Sequence, residues 1–149
     1  MNTNTIDKQS RIEMALECFD LLFGAVKERK FSYLWTKQDK ATYPFAVSNS
    51  AEREAMAIRA IELSDEGKDV YFGVNLMDES PSRNTRVKAE HVTLQTATVS
   101  DIDILGGAHT DPNKYPADFN AVKKFLPFPV SLTVSRGRAD TPIAFTPSR

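Results

Sequence analysis

An amphipathic helical pattern near the N-terminus is the feature that most constrains the fold of this chain. Over residues 10–29, apolar side chains recur at the three-and-four spacing that lines one face of a helix. These side chains are Ile12, Ala15, Leu16, Phe19, Leu22, Phe23 and Val26. A basic run at residues 27–30 follows and complements the helix dipole at the predicted C-terminal end. The pattern predicts a helix that packs one face onto a core.

Helix and strand patterns alternate in the first half of the chain, and strand patterns dominate afterwards. Asn49 and Glu52 have capping-box spacing, and Pro44 predicts an extended or turn segment because proline cannot donate to a sheet ladder. The predicted further helices are residues 51–64 and 117–126, and the predicted strands are residues 31–36, 69–75, 92–105 and 130–135. We expect an α+β fold, α/β-like in its N-terminal part, with one mixed sheet and flanking helices in a single domain over residues 1–149.

Composition excludes several classes of protein. The 149 residues are 41% hydrophobic, which is enough to bury a core without disulfides or a structural metal. Cys18 is the only cysteine, so neither an intramolecular disulfide nor a multi-thiolate zinc site is expected, and a cytoplasmic location is predicted. A net charge of −1 argues against a surface that binds nucleic acid everywhere, and the absence of a long apolar run argues against membrane association.

Two aspartates form the most distinctive candidate site. Asp101 and Asp103 are two residues apart on the predicted strand, so both carboxylates lie on one face, roughly 7 Å apart. Two neighbouring carboxylates repel one another, and a Mg²⁺ or Mn²⁺ ion between them relieves that repulsion. Alternatively, these aspartates lie on the solvated face of the sheet while Ile102 and Ile104 enter the core.

The order of the motifs resembles a known family. The segment 71–75, a polar basic loop, the D-x-D strand ending in Gly106 and Gly107, and the segment 128–137 follow one another. This order resembles the N-terminal half of the primase-polymerase domains of phages and plasmids, in the archaeo-eukaryotic primase superfamily. The resemblance covers residues 35–137. It implies that Asp101 and Asp103 are catalytic and hold the divalent metals.

The chain departs from that family after Ser135. The resemblance leads us to expect a phosphate-binding histidine and a later strand with a third metal ligand, and neither is predicted in the divergent tail, residues 138–149. We therefore expect a truncated domain with an exposed edge on the strand 130–135. Ser135, Arg136 and Arg138 remain candidates for phosphate binding, because guanidinium groups beside a glycine match phosphate oxygens; the alternative is that the arginines are merely solvated.

Basic and aromatic residues suggest a nucleic-acid surface. The candidate nucleic-acid-binding residues are Arg83, Arg86, Lys88 and His91, although such a charged loop often serves only solubility. His109 follows the D-x-D strand, where it is a candidate metal neighbour or an ordinary surface histidine. Phe31, Tyr33 and Trp35 form either a stacking platform or part of the core.

Two functions follow as hypotheses. The first is a truncated primase-polymerase-like protein of a phage or mobile element, acting in or derived from DNA replication priming and without independent nucleotidyl transfer. The second is a non-catalytic, anti-CRISPR-like protein that inhibits a host nucleic-acid or defence complex. The expected partners are nucleic acid or a nucleoprotein complex, and a protein partner or a second copy that pairs with the exposed strand edge.

Overall fold

A computed structural model describes residues 6–84, 86–99, 102–106 and 108–126, together with the backbone of two later strands. The chain divides into two compact units, Met1–Thr98 and Val99–Arg149, and each is described by itself. The first unit contains α1 (Lys8–Phe23), β1 (Ser32–Thr36), β2 (Ala41–Phe45), α2 (Ser50–Asp65), β3 (Val70–Phe72) and a 3₁₀ turn (Ala89–His91). The second contains α3 (Phe119–Lys123), β4 (Leu132–Ser135) and β5 (Ala144–Pro147).

The two long helices begin at side-chain caps. Asp7 accepts a hydrogen bond from the Ser10 amide at 3.0 Å, and Asn49 accepts one from the Ala51 amide at 2.9 Å, which confirms the predicted cap of α2. α1 ends earlier than the sequence predicted. The Gly24 amide still donates to the Asp20 carbonyl, but the chain turns there, so the basic run at residues 27–30 lies outside the helix.

Three antiparallel strands form the sheet of the first unit, in the order β2-β1-β3. The sequence predicted a mixed sheet, whereas every described pairing is antiparallel. Pro44 lies in β2, which is an edge strand, and this is where a residue without an amide hydrogen can be accommodated. Helices packed on an antiparallel sheet confirm the α+β class.

The two faces of the sheet differ in what covers them. Residues opposite one another in an antiparallel pair share a face, and Leu34 lies opposite both Tyr43 and Phe72. This set packs against α1 and α2, so we call it the helix face. The fully buried core side chains include Phe23, Leu34, Val47, Met56, Leu63 and Leu76.

A buried arginine joins the two helices on this side. Arg53 of α2 donates through Nε to Asp20 of α1 at 2.5 Å and through Nη1 to the Val47 carbonyl at 2.9 Å. Its guanidinium group is therefore satisfied although the residue is only 9% exposed.

Two predictions about strands are wrong. The predicted strand 92–105 is not formed by the described residues of that stretch, where only Leu94 makes an isolated bridge, to Leu76. Ile102 and Ile104 are 43% and 44% exposed, so their alternation does not mark a buried face. An alternating pattern forms a strand only where a neighbouring strand pairs with it.

The second correction concerns the tail. We predicted no strand after Ser135, but Ala144–Pro147 forms β5 and pairs antiparallel with β4, with Ser135 opposite Ala144. One edge of β4, which was expected to be free, is thus occupied by the chain itself. Within the described residues, no helix combines the length and the apolar character needed to cross a membrane.

Candidate functional site

The face of the sheet opposite the helices carries a row of aromatic rings. Tyr33 and Trp35 alternate with the buried residues of β1, and Phe31, which bridges to Met77 just before β1, continues the same alternation. None of these three belongs to the core that packs against the helices. Tyr71 of β3 lies opposite Trp35, with the ring centroids 5.5 Å apart. We call the four rings the aromatic face.

Two arginines lie over this face, near opposite ends of the row. The guanidinium carbon of Arg29 is 5.2 Å from the centroid of Phe31, and that of Arg86 is 5.2 Å from the centroid of Trp35. Such cation–π contacts keep a positive charge close to an aromatic surface. Tyr71 remains 51% exposed, so part of its ring is free to contact a ligand.

Close backbone packing fixes the middle of the row. A Cβ atom at Gly73 would overlap the Tyr33 ring, so only glycine allows this ring to lie against the backbone. Ser32, on the opposite face, donates from Oγ to the Gly73 carbonyl at 2.6 Å. Burial raises the pKa of the Tyr33 hydroxyl and outweighs the opposing effect of Arg86, so this hydroxyl stays neutral at physiological pH.

The predicted basic cluster divides into two pairs. Arg83 and Arg86 both rest on aromatic rings, Tyr43 and Trp35 respectively. Lys88 and His91 lie instead beside Glu90, with nitrogen–oxygen distances of 3.6 and 3.9 Å. The structure therefore brings the two arginines, rather than the whole cluster, to the sheet.

Arg83 and Arg86 belong to a segment that passes the outer edge of β2. We call residues 83–86, of which 83, 84 and 86 are described, the edge strap. The Arg83 carbonyl accepts a hydrogen bond from the Thr42 amide at 2.7 Å. Tyr43 is on the helix face and Trp35 is on the aromatic face, so the edge strap places one arginine on each face.

A second candidate site lies in the second unit. His109 Nε2 is 3.3 Å from Asp103 Oδ1, and the His109 ring lies 4.6 Å from the Tyr115 ring. Reciprocal backbone hydrogen bonds between Gly106 and His109, at 2.7 and 2.9 Å, hold the turn that returns His109 to Asp103. A carboxylate beside an imidazole can orient the ring.

The metal site that the resemblance implies is not complete among the described residues. Asp103 does not lie on a strand, and Asp101, Arg136 and Arg138 lie outside the described residues. Ser135 ends β4, and only its backbone is described. In the part of the chain that the structure describes, no three His, Cys, Asp or Glu side chains group closely enough to hold a metal ion.

Sequence reasoning missed several residues of these surfaces. Tyr71, Arg29, Tyr43 and Arg59 were not candidates, because their proximity to the other residues depends on strand register and on the position of α2. The aromatic residues at positions 31, 33 and 35 were the one available signal in the sequence, because their spacing of two places them on one face of a strand. Comparison of the chain with family models, curated proteins and solved structures gave no match. The primase-polymerase resemblance therefore remains a prediction.

Proposed function

We propose that this chain binds single-stranded nucleic acid on the aromatic face, in the context of the DNA replication priming that the resemblance implies. The observation that carries the proposal is the Arg86 guanidinium group 5.2 Å over the Trp35 ring, beside a half-exposed Tyr71. Proteins that bind single strands combine aromatic surfaces, on which bases stack, with cations that contact the backbone phosphates.

The spacing of the row supports this binding mode. Residues 31, 33 and 35 share one face of an extended segment, so their attachment points are about 6.8 Å apart. Arg29 and Arg86 place positive charge near the two ends of the row, and neither has a carboxylate partner within ion-pair distance among the described residues. We expect bases to stack on exposed ring surfaces, Tyr71 in particular, while the two guanidinium groups contact phosphates or stack on bases.

Trp35 makes this proposal directly measurable. It is the only tryptophan of the chain, so its fluorescence reports on the aromatic face alone. Titration with a short oligothymidylate should change the Trp35 emission, and the affinity should fall as salt rises because bound counterions are released. Tyr71→Ala and Arg86→Gln should each weaken binding by about 5- to 150-fold, the range that corresponds to losing one stacking contact.

Arg11→Gln is the matched control. It removes the same charge from α1, on the opposite side of the sheet, where Arg11 pairs with Asp65 at 2.6 Å. Binding should change less than about twofold in this variant, since exposed ion pairs have small effects. Equal weakening in Arg11→Gln and Arg86→Gln would mean that only total charge matters, and it would overturn the assignment to the aromatic face.

Metal-dependent nucleotidyl transfer is the second candidate function. The specific observation in its favour is the distance of 3.3 Å between Asp103 Oδ1 and His109 Nε2. Asp103 is the second aspartate of the D-x-D pair, which the resemblance implies is catalytic. We propose that the isolated chain does not synthesise primers, because residues 136–149 contain no histidine where the resemblance implies one that binds phosphate. An assay with a single-stranded template, nucleotides and Mn²⁺ should give no product above that of Asp101→Ala. Product that depends on Asp101 would instead establish the enzyme.

A further inference from the structure

A second arginine-aromatic cluster lies on the other face of the sheet, outside the surface assigned above. Tyr43 of β2 has two guanidinium carbons near its ring centroid, that of Arg59 at 5.2 Å and that of Arg83 at 5.8 Å. Arg59 belongs to α2 and Arg83 to the edge strap, so two separate elements bring their charges to one ring. Tyr43 itself is held by β1, where it lies opposite Leu34.

The three side chains border an open depression of about 520 Å³. The remaining lining residues are Thr42, Pro44 and Phe45. This volume is within the range of small-molecule sites, and the lining combines apolar groups with a few polar ones, as such sites do.

In the described part of the chain, both guanidinium groups keep N–H donors that no carboxylate contacts. Glu62 and Glu66 contact Arg59 at 3.1 and 3.5 Å, but both do so through the same nitrogen, Nη1. A guanidinium group has five N–H donors, so the Nε and Nη2 donors of Arg59 have no carboxylate partner among the described residues. Arg83 likewise has no carboxylate within ion-pair distance in the described part of the chain.

Two neighbouring cations repel one another unless an anion lies between them. A phosphate group suits this arrangement, since its oxygens match the planar N–H donors of guanidinium and its charge offsets that of Arg83, whereas the two glutamates already offset Arg59. Carboxylate ligands would satisfy fewer of these donors. The adjacent apolar surface of Pro44 and Phe45 can accept the sugar or base attached to such a phosphate.

We propose that Arg59, Arg83 and Tyr43 form a phosphate-binding site at the outer edge of β2. Its ligand is the phosphate of a free nucleotide or the terminal phosphate of a nucleic-acid strand. The site does not depend on binding at the aromatic face, because it uses different rings on the opposite face.

The test follows the Nε–H signals of the arginines by NMR in the full chain. Titration with inorganic phosphate and then with a nucleoside triphosphate should give saturable shifts at Arg59 and Arg83 and little change at Arg11, which pairs with Asp65. Arg83→Gln and Arg59→Gln should weaken binding about tenfold or more, as expected for the loss of a charge-assisted hydrogen bond. Arg11→Gln is the matched control, since it removes an arginine that pairs with Asp65 and belongs to neither proposed site.

The outcomes separate this site from the aromatic face. Absence of saturable shifts at Arg59 and Arg83 in the unmodified chain would overturn the proposal without relying on a variant. Equal weakening by Arg11→Gln would also overturn it. These titrations contain no strand, so they can succeed even if oligothymidylate does not bind the aromatic face. If an oligonucleotide with a 5′-phosphate binds better than the same oligonucleotide without one, the phosphate of the site comes from a strand end. If the two oligonucleotides bind equally and the nucleoside triphosphate binds, the phosphate comes from a free nucleotide.

Discussion

The two faces of the sheet in the first unit have opposite chemistry although one strand, β1, contributes to both. On the helix face, Leu34 packs in the core with α1 and α2, and Ser32 and Thr36 on either side of it are completely buried. On the aromatic face, Tyr33 and Trp35 are only partly buried and do not belong to the core that packs against the helices. Within β1, the helix face thus holds Leu34 between two small hydroxyl side chains, while the aromatic face holds two large rings.

This contrast separates stability from binding. Burial of apolar side chains against the helices supplies the free energy of folding, and cavities there are costly. Rings that retain exposed surface contribute less to folding and remain able to contact a ligand. Substitutions of the buried core side chains on the helix face should therefore alter stability, and substitutions of the exposed rings on the aromatic face should alter binding.

The largest expected effect compares Leu34→Ala with Tyr71→Ala. Leu34 is 1% exposed, so its truncation leaves a cavity and should lower the free energy of unfolding by about 2–5 kcal/mol. Tyr71 is 51% exposed, and its truncation should cost less than about 1.5 kcal/mol. Urea denaturation measures both values. Similar losses in the two variants would remove the distinction between the faces.

The next effect concerns the link between the helices. Asp20→Asn should lower the free energy of unfolding by about 1–3 kcal/mol, because it leaves the Arg53 guanidinium group without its anionic partner. The control is Asp65→Asn, which breaks the more exposed pair with Arg11 and should cost less than about 1 kcal/mol. A larger loss from Asp65→Asn would show that the part-buried pair of Arg53 and Asp20 does not hold the helices over the sheet.

Substitutions of two hydroxyl residues on the helix face should change the stability by smaller amounts and in opposite directions. Thr36 is completely buried, and its Oγ1 has no hydrogen-bond partner among the described residues, so Thr36→Val should leave stability unchanged or raise it by up to about 1 kcal/mol. Ser32 donates to the Gly73 carbonyl, and Ser32→Ala should cost about 1 kcal/mol. Thermal unfolding of both variants tests the difference; destabilisation by Thr36→Val would indicate that its hydroxyl is satisfied.

The smallest effect is a pH dependence of stability, which comes from the Lys30–Asp78 pair near the Phe31 end of the aromatic face. The hydrogen bond from Lys30 lowers the pKa of Asp78 below its ordinary value of 3.8. A carboxyl group with a lowered pKa in the folded state stabilises the fold above that ordinary value, and this contribution is lost as pH falls through the lowered pKa. The melting temperature should therefore fall below about pH 4, and Asp78→Asn should reduce that fall. An unchanged acid profile in Asp78→Asn would assign the acid sensitivity to other carboxylates.

Local signals in the sequence predicted much of the first unit. The cap at Asn49, the apolar period of α1 and the position of Pro44 each depend on near neighbours, and the structure contains α2, α1 and an edge strand at these positions. Pairing between distant segments was not accessible in this way. The alternation up to Ile104 has no strand partner among the described residues, and β5 could not be recognised before β4 provided a pairing edge.

The candidate surfaces were only partly predictable for the same reason. A strand with apolar or aromatic residues at both sets of alternate positions does not specify which set is buried. In β1 the helices cover Leu34, with the small side chains Ser32 and Thr36 on either side, and the rings are left on the other face. The charge of Arg86 was enough to make it a candidate from the sequence. Its contact with Trp35 could not be predicted, because that contact depends on how the chain passes β2.

The edge strap also bears on how this protein behaves at high concentration. An uncovered edge strand offers unpaired amide and carbonyl groups to other chains, and it is a common starting point for aggregation. Here the Thr42 amide is already bonded to Arg83, and Pro44, two residues further along, has no amide hydrogen to offer. The outer edge of β2 is therefore a poor template for intermolecular strand pairing. Proteolytic cleavage within the edge strap would release the Thr42 amide and make the protein more prone to self-association.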